Sequence, residues 1–189
     1  MQIKIEVSAR HLHLTAKHFE KLFGKGKKLT KLKSLSQGEQ FSAKETLAVK
    51  SGKNIIPHVR IVGPFREQTQ IEISQTDAWA ILKTDIPLCC SGKIEKSAGC
   101  VLIGPKGKIK LKKGLITVKR HIHFSVSTAR KLNLKNGDLV KAQVLGERGL
   151  IFENIVARIK DQWKNILHLD TDEGNSAGIR KRGRGRLIV

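Results

Sequence analysis

Tyrosine is absent, tryptophan occurs twice, and aromatic residues make up only 4% of the 189 positions. So small an aromatic complement leaves little surface for stacking nucleic-acid bases. Cysteine is nearly as scarce: Cys89 and Cys90 are adjacent and Cys100 stands apart. No CxxC spacing exists, which excludes the common thiolate zinc and dithiol redox motifs and leaves three reduced, mostly structural thiols. No uncharged apolar run approaches the roughly 18 residues of a membrane-crossing helix. The opening stretch MQIKIEVSARH lacks the apolar core and small-residue cleavage site of a secretion signal, so the expected location is cytoplasmic. Acidic residues are few, 16 against 37 Lys+Arg, for a formal net charge of +21. Such a balance excludes a chain built for cationic partners and favours polyanions: nucleic acid, anionic lipid or phosphorylated small molecules.

What is present is short strands. Ile3, Ile5 and Val7 alternate with Lys4 and Glu6, as a half-buried strand requires. Thr15 is placed to cap a short helix over 16–23, closed by Gly24, and a connector over 25–33 carries five lysines. Strands are expected over 41–49, 58–62 and 69–74, then a brief helix over 77–82 capped by Thr76. In the second half, Ile109 and Leu111 precede a Gly114 turn, and a strand over 115–123 leads to a helix capped by Ser125. The turn Asn136-Gly137-Asp138 and strands near 139–145, 150–159 and 165–169 follow. Short strands, glycine turns and brief helices point to a mainly β fold, small β-barrels or a sandwich; a parallel α/β layout would need longer helices.

One internal echo organises the chain. Arg10-His11-Leu12-His13-Leu14-Thr15 returns as Arg120-His121-Ile122-His123-Phe124-Ser125, 110 residues later. Both copies end a strand and enter a capped helix, so two similar halves meeting at a shared site are expected. On a strand, residues i and i+2 share a face, so each copy presents two imidazoles side by side, half of a tetrahedral metal site. Glu72 and His168 are the candidates for a third ligand. Each follows its half's His-x-His and precedes a Thr-Asp pair. Arg66, in the turn Gly63-Pro64-Phe65-Arg66, suits bidentate grip on a phosphate or carboxylate, with Arg60 and Lys33 as further cations. Gly104-Pro105-Lys106-Gly107 is a plain turn, since a phosphate-cradling P-loop needs GxxxxGK[ST] opening a helix. His18 and His58 lack comparable context.

Several blocks together carry a resemblance: 7–14, 35–41, 62–66, 69–74, 120–123 and 168–175. From about Ile3 to Asn175 the sequence resembles the PduL-type phosphotransacylases, the phosphate propanoyltransferases. That resemblance implies two β-barrels with short capping helices, one of residues 1–9 and 118–189 and the other of 10–117, with a metal site at their junction. It implies the reversible reaction of an acyl-CoA (propanoyl or acetyl) with phosphate to give acyl phosphate and coenzyme A. By the same resemblance His121, His123, His168 and Glu72 look like one zinc site, and His11 and His13 like a second, more open one. Arg66 matches the phosphate-positioning arginine, and Ser91 falls beside the reacting groups. Ser8, Lys33, Arg60, Val62, His168 and Asn175 match the coenzyme A pocket, with Trp79 placed to stack on adenine. A homodimer or higher homo-oligomer is expected.

The chain departs from the family pattern in two places. Cys89-Cys90-Ser91-Gly92-Lys93 stands where an Arg before Ser-Gly-Asp is usual, and Ser36-Gln37-Gly38-Glu39 lacks a proline. Members resident in microcompartments carry an amphipathic N-terminal extension; this sequence opens on its first strand, which predicts an enzyme free in the cytoplasm. Two rival readings use the same features. The lysine connector and the tail Arg180-Lys181-Arg182-Gly183-Arg184-Gly185-Arg186 would serve a nucleic-acid-binding protein, and the metal ligands would serve a thioester or phosphate hydrolase.

Overall fold

The structure, a computed structural model, describes residues 1–188. Its elements in chain order are β1 (Gln2–Val7), β2 (His11–His13), α1 (Ala16–Phe23), β3 (Lys31–Ser34), β4 (Phe41–Ser51), β5 (Asn54–Gly63) and β6 (Gln70–Ile73). A π-helical turn (Asp77–Leu82) follows, then β7 (Leu88–Cys89), β8 (Ala98–Gly104), β9 (Gly107–Val118), β10 (His121–Phe124) and α2 (Val126–Lys131). The chain ends with β11 (Leu139–Val144), β12 (Leu150–Ile159), β13 (Ile166–Leu169), α3 (Thr171–Ser176) and β14 (Arg182–Ile188). It divides into two compact units, one of Met1–Ala9 with the chain from Lys119 onward, the other Arg10–Val118.

The first unit is a closed barrel in the order β1-β13-β10-β12-β11-β14, completed where β1 pairs antiparallel with β14. Ile3, Ile5, Ile122, Phe124, Ala142, Ile155 and Leu167 point inward and are buried. In the second unit β4, β5, β2, β6, β9 and β8 close a ring, because β8 pairs with both β9 and β4; β3 and β7 attach to its edges. Leu12, Leu47, Ile56, Ile61, Ile71 and Leu102 fill that core, roofed by Phe19 and Leu22 of α1. Fully burying one such side chain stabilises the fold by about 1.5–3 kcal/mol. The chain is thus mainly β, with two six-stranded barrels and a few short helices: of the barrel and sandwich that the turn spacing allows, the barrel, in the two copies the resemblance implies.

The echo seen in sequence is also one of register. β2 lies between β5 (parallel) and β6 (antiparallel), with His11 opposite Arg60 on one side and Glu72 on the other. β10 lies between β12 (parallel) and β13 (antiparallel), with His121 opposite Val156 and His168. The partners of the second copy stand 96 positions after those of the first on both sides. Even a backbone detail repeats: His58 in β5 and Asn154 in β12, also 96 apart, both adopt the left-handed region, with φ of 56° and 55°.

Several local expectations differ from the structure. Gly114 is not a turn between two strands; β9 runs through it at φ 126°, and a Cβ there would lie 2.7 Å from the Thr69 carbonyl oxygen. The strand expected over 115–123 is broken at Lys119 and Arg120 into β9 and β10. Thr76 does not cap the next turn, being itself helical; the Ser74 hydroxyl accepts from the Asp77 amide instead. Part of the lysine connector forms β3 on the edge of β4.

Candidate metal centres

Alternation in β2 and β10 sends Leu12 and Ile122 into their cores at 0% exposure, so the flanking histidines face away from the barrel interior. In the second unit the β2–β6 ladder then sets Glu72 beside His11. The His11 Nε2 and Glu72 Oε2 atoms lie 3.5 Å apart, and the ligand atoms of His11, His13 and Glu72 all fall within 4.8 Å of one another. Two donors bound tetrahedrally to one zinc ion sit about 3.4 Å apart, so small rotations would let these three share an ion.

His13 is 2% exposed, and its Nδ1 lies 3.0 Å from the Val62 carbonyl oxygen. A carbonyl only accepts, so Nδ1 carries the proton and Nε2 is left as a ligand. Burial, with His11 and Arg66 close by and only partly offset by Glu72, pushes the His13 pKa down to about 3. The ring is neutral at neutral pH, the form a metal requires.

Glu72 is oriented by its own side of the sheet. The Gln70 carboxamide donates to Glu72 Oε1 (2.5 Å) and to Ser91 Oγ (2.9 Å), and accepts from the Gly92 amide (2.7 Å). Ser91 in turn donates to Glu72 Oε1 at 2.8 Å. Arg66 is held beside this cluster: its amide donates to the Leu14 carbonyl at 2.8 Å, and Phe65 packs on Phe19.

In the first unit His121, His123 and His168 form a ring of imidazoles with centroids 5.0, 5.3 and 4.9 Å apart. His121 Nδ1 lies 3.1 Å from the Lys119 carbonyl oxygen, which again leaves Nε2 as the ligand atom. His123 is 7% exposed and stacked on Trp163 at 4.0 Å. Both its ring nitrogens are buried with no hydrogen-bond partner among the described residues. Burial and the neighbouring His168, His121 and Arg158 push its pKa down to about 2. Leaving a buried polar atom unsatisfied costs about 1–3 kcal/mol, and a metal ligated by His123 would relieve that cost. Both clusters therefore fit a zinc-type ion, with two imidazoles and a carboxylate in one unit and three imidazoles in the other.

The other predicted site residues are placed as follows. In the second unit, Lys33 is exposed on β3, and the side chain of Val62 is 7% exposed while its carbonyl serves His13. Arg60 donates to the carbonyls of Ala43 and Lys44 (3.2 and 2.5 Å). Trp79 is 55% exposed, with Nε1 donating to Asp85 at 3.1 Å. In the first unit, the Ser8 amide donates to the Leu169 carbonyl (2.8 Å), next to His168, and Asn175 is exposed on α3. The structure brings Glu72, assigned by resemblance to the C-terminal histidines, together with His11 and His13 inside its own unit. Sequence reasoning gave Gln70 and Trp163 no role. Gln70 was legible as the same-face neighbour of Glu72 two residues earlier; nothing marked Trp163. His18, read as ordinary, donates its amide to Thr15 Oγ1 at 3.1 Å, and its Nδ1 lies 2.8 Å from Thr69 Oγ1.

A duplicated six-stranded β-barrel protein with a histidine cluster in each half is the class these features define. Comparison with known proteins narrows it. The phosphate propanoyltransferase family profile matches residues 4–180. A phosphate propanoyltransferase of Lachnoclostridium phytofermentans is 46% identical over 178 residues, covering 94% of this chain and 83% of the relative. One from Thermotoga maritima is 43% identical over 176 residues (93% and 83%), and one from Clostridioides difficile 39% over 186 residues (98% and 88%). The chain belongs to the phosphate propanoyltransferase family and is an acyltransferase. No helix among the described residues is long and apolar enough to cross a membrane.

Proposed function

We propose that this enzyme converts a short acyl-CoA, propanoyl-CoA or acetyl-CoA, and inorganic phosphate into acyl phosphate and coenzyme A, reversibly, with zinc held by its two histidine clusters. The observation that carries the metal part is His123, a neutral buried imidazole with no hydrogen-bond partner for either nitrogen among the described residues. His121, His123 and His168 would hold one ion, and His11, His13 and Glu72 the other. Zinc, when bound, supplies Lewis-acid polarisation of a carbonyl or phosphoryl oxygen.

The protein's own residues have the remaining tasks. Arg66, fixed beside His13 by its backbone contact to Leu14, grips the phosphate with a planar fork and aligns one oxygen on the thioester carbonyl carbon. A phosphate oxygen forms the new C–O bond, the C–S bond breaks, and coenzyme A leaves as its thiolate. No enzyme nucleophile is needed, since the thioester is already activated. Gln70 and Ser91 act through Glu72, holding its Oε1 in place so that Oε2 stays aimed at His11. Ser8, Lys33, Arg60, Val62, His168 and Asn175 would contact coenzyme A, and Trp79, already exposed, offers a face to adenine. A cytoplasmic setting is part of this reading, and Cys89, Cys90 and Cys100, which form no disulfide among the described residues, are compatible with it.

The test is thiol release from propanoyl-CoA by the purified protein, followed with and without phosphate, alongside zinc content. Release that requires phosphate, with zinc bound, and that falls at least about 100-fold in Arg66→Ala at unchanged zinc content, is the expected result. Release independent of phosphate would make the protein a hydrolase, and salt-sensitive RNA binding without turnover would support the nucleic-acid reading.

A further inference from the structure

The arginine-rich C-terminal stretch has the composition of a disordered basic tail, but it folds as β14 and closes the first barrel. Its glycines face inward under tight constraint. A Cβ on Gly183 would lie 2.8 Å from the Ile179 side chain, and one on Gly185 would lie 2.7 Å from the Gln143 carbonyl oxygen. Arg182, Arg184 and Arg186 alternate outward and are exposed, about 6.8 Å apart along the strand. In the ladder with β1, Arg184 stands opposite Lys4 and Arg186 opposite Gln2, so neither meets a carboxylate there. Like charges set directly opposite each other destabilise a sheet. Of these three, among the described residues, only Arg182 has an acid within 4 Å, Glu6 at 3.3 Å.

Beside this row lies a cleft of about 480 Å³ between the β11–β12 hairpin and the segment joining α3 to β14. Arg148, Arg180, Arg182 and Arg184 border it, with Glu147 as its single carboxylate. Arg148 is pre-positioned: its stem passes over Gly178, 3.4 Å from where a Cβ would be, and its Nε donates to the Ser176 carbonyl at 3.2 Å. Its terminal amino groups remain for a ligand. Its lining also includes apolar side chains, Leu145, 67% exposed, and the buried Ile179. The size is that of a small-molecule site. Four guanidinium groups, set against Glu147 and the Glu6 that pairs with Arg182, leave an excess of two positive charges that calls for a dianion, and the apolar side chains call for a ring or chain that a bare phosphate does not have.

We propose that this cleft binds a nucleotide, with the diphosphate held by Arg148, Arg180, Arg182 and Arg184 and the apolar part of the ligand on Leu145. The proposal stands apart from the acyl-transfer reading, because none of these residues belongs to the metal clusters or the coenzyme A positions. Titration calorimetry of the full chain with ADP tests it. Saturable binding is expected, weakened about tenfold by Arg148→Ala and by Arg184→Ala, both exposed side chains, while the charge-matched Arg130→Ala stays within about twofold. Inorganic pyrophosphate is expected to compete more weakly than ADP. Absence of saturable binding would overturn the proposal, as would equal weakening by Arg130→Ala. So would pyrophosphate competing as tightly as ADP, or binding lost in Arg60→Ala but kept in the cleft variants, which would place ADP in the coenzyme A pocket.

Discussion

Gln70→Leu isolates the part of the candidate site that works without touching a ligand ion. Gln70 is 2% exposed and makes three hydrogen bonds: to Glu72 Oε1, to Ser91 Oγ and from the Gly92 amide. Leucine fills nearly the same volume, so cavity formation is a small component and the loss is polar. Removing a bond to a charged carboxylate costs about 1.5–3 kcal/mol, and stranding the Gly92 amide adds about 1 kcal/mol. The unfolding free energy should therefore fall by about 2–4 kcal/mol in urea titration. Glu72 also loses the donor that fixes Oε1, which leaves Ser91 alone to orient it. Misplacing a ligand's hydrogen-bond partner costs about 10–100-fold in metal affinity. A chromophoric chelator competing for zinc, read on the folded protein at each occupancy, should show one of two ions weakened by that factor and the other unchanged. Unchanged affinity at both sites, in a variant that has lost stability, would refute the positioning role and leave Gln70 a core hydrogen-bonder only.

Two further outcomes follow from the same geometry. His13 and His123 titrate near 3 and 2 in the fold and near 6.5 when unfolded, so below pH 6.5 the unfolded chain takes up protons that the fold refuses. Stability of the metal-free protein should fall with acid at about 1.4 kcal/mol per pH unit for each histidine; Asp170 and Glu173, raised by burial, act in the opposite sense at lower pH. Urea midpoints between pH 6.5 and 5 measure the slope, to which His18, also lowered by burial, adds, and His123→Asn should remove the share of one histidine; a slope unaffected by that change would show that His123 is not held neutral. Gly185→Ala would press a Cβ to 2.7 Å from the Gln143 carbonyl oxygen, backbone that has nowhere to go within a closed barrel. A loss of about 1–3 kcal/mol, or roughly 2–9 °C in thermal midpoint, is expected, whereas an unchanged midpoint would mean β14 does not close the barrel.

Legibility in the sequence tracked distance along the chain. The two Arg-His-x-His copies, their strand-to-helix transitions and the capping residues Thr15 and Ser125 are local patterns, and both caps are present: Thr15 accepts from the His18 amide and Ser125 from that of Thr128. Glu72 and His168 could be singled out as equivalent because alternation marks a same-face residue on any strand, and the register sets each opposite the first histidine of its half. What failed depended on partners far away in sequence. Gly114 signals a turn by composition, yet its freedom is used to pass the Thr69 carbonyl within β9. The arginine stretch over 180–186 reads as a basic tail for nucleic acid, and its place as a barrel strand depends on Ile179 and Gln143, which crowd its glycines. Trp163 carries no local mark at all, because what distinguishes it is spatial: it lies against His123, with the Arg158 guanidinium over its ring.

The duplication extends past the ligands to what holds them. Arg10 reaches Asp77 at 3.2 Å, and Arg120 reaches Glu173 at 2.6 Å; the acids stand 96 positions apart, like Glu72 and His168. Ser74 and Asp170, again 96 apart, cap the amides of those two acids. Each half thus ties the residue before its histidine pair to the turn after its third ligand strand, clamping the ladder at both ends. Within that common frame the two halves differ at the residue opposite the first histidine, a carboxylate in one (Glu72) and an imidazole in the other (His168). A divalent ion held by three neutral imidazoles keeps its full charge, whereas one held by His11, His13 and Glu72 is reduced by one unit. Arg66 stands in the carboxylate half, beside His13. Its guanidinium returns the charge that Glu72 removes, on a group that can grip phosphate in two places. If both clusters were loaded, the half with the weaker field at its ion would thus be the half in which a side chain, Arg66, stands ready to hold an anion.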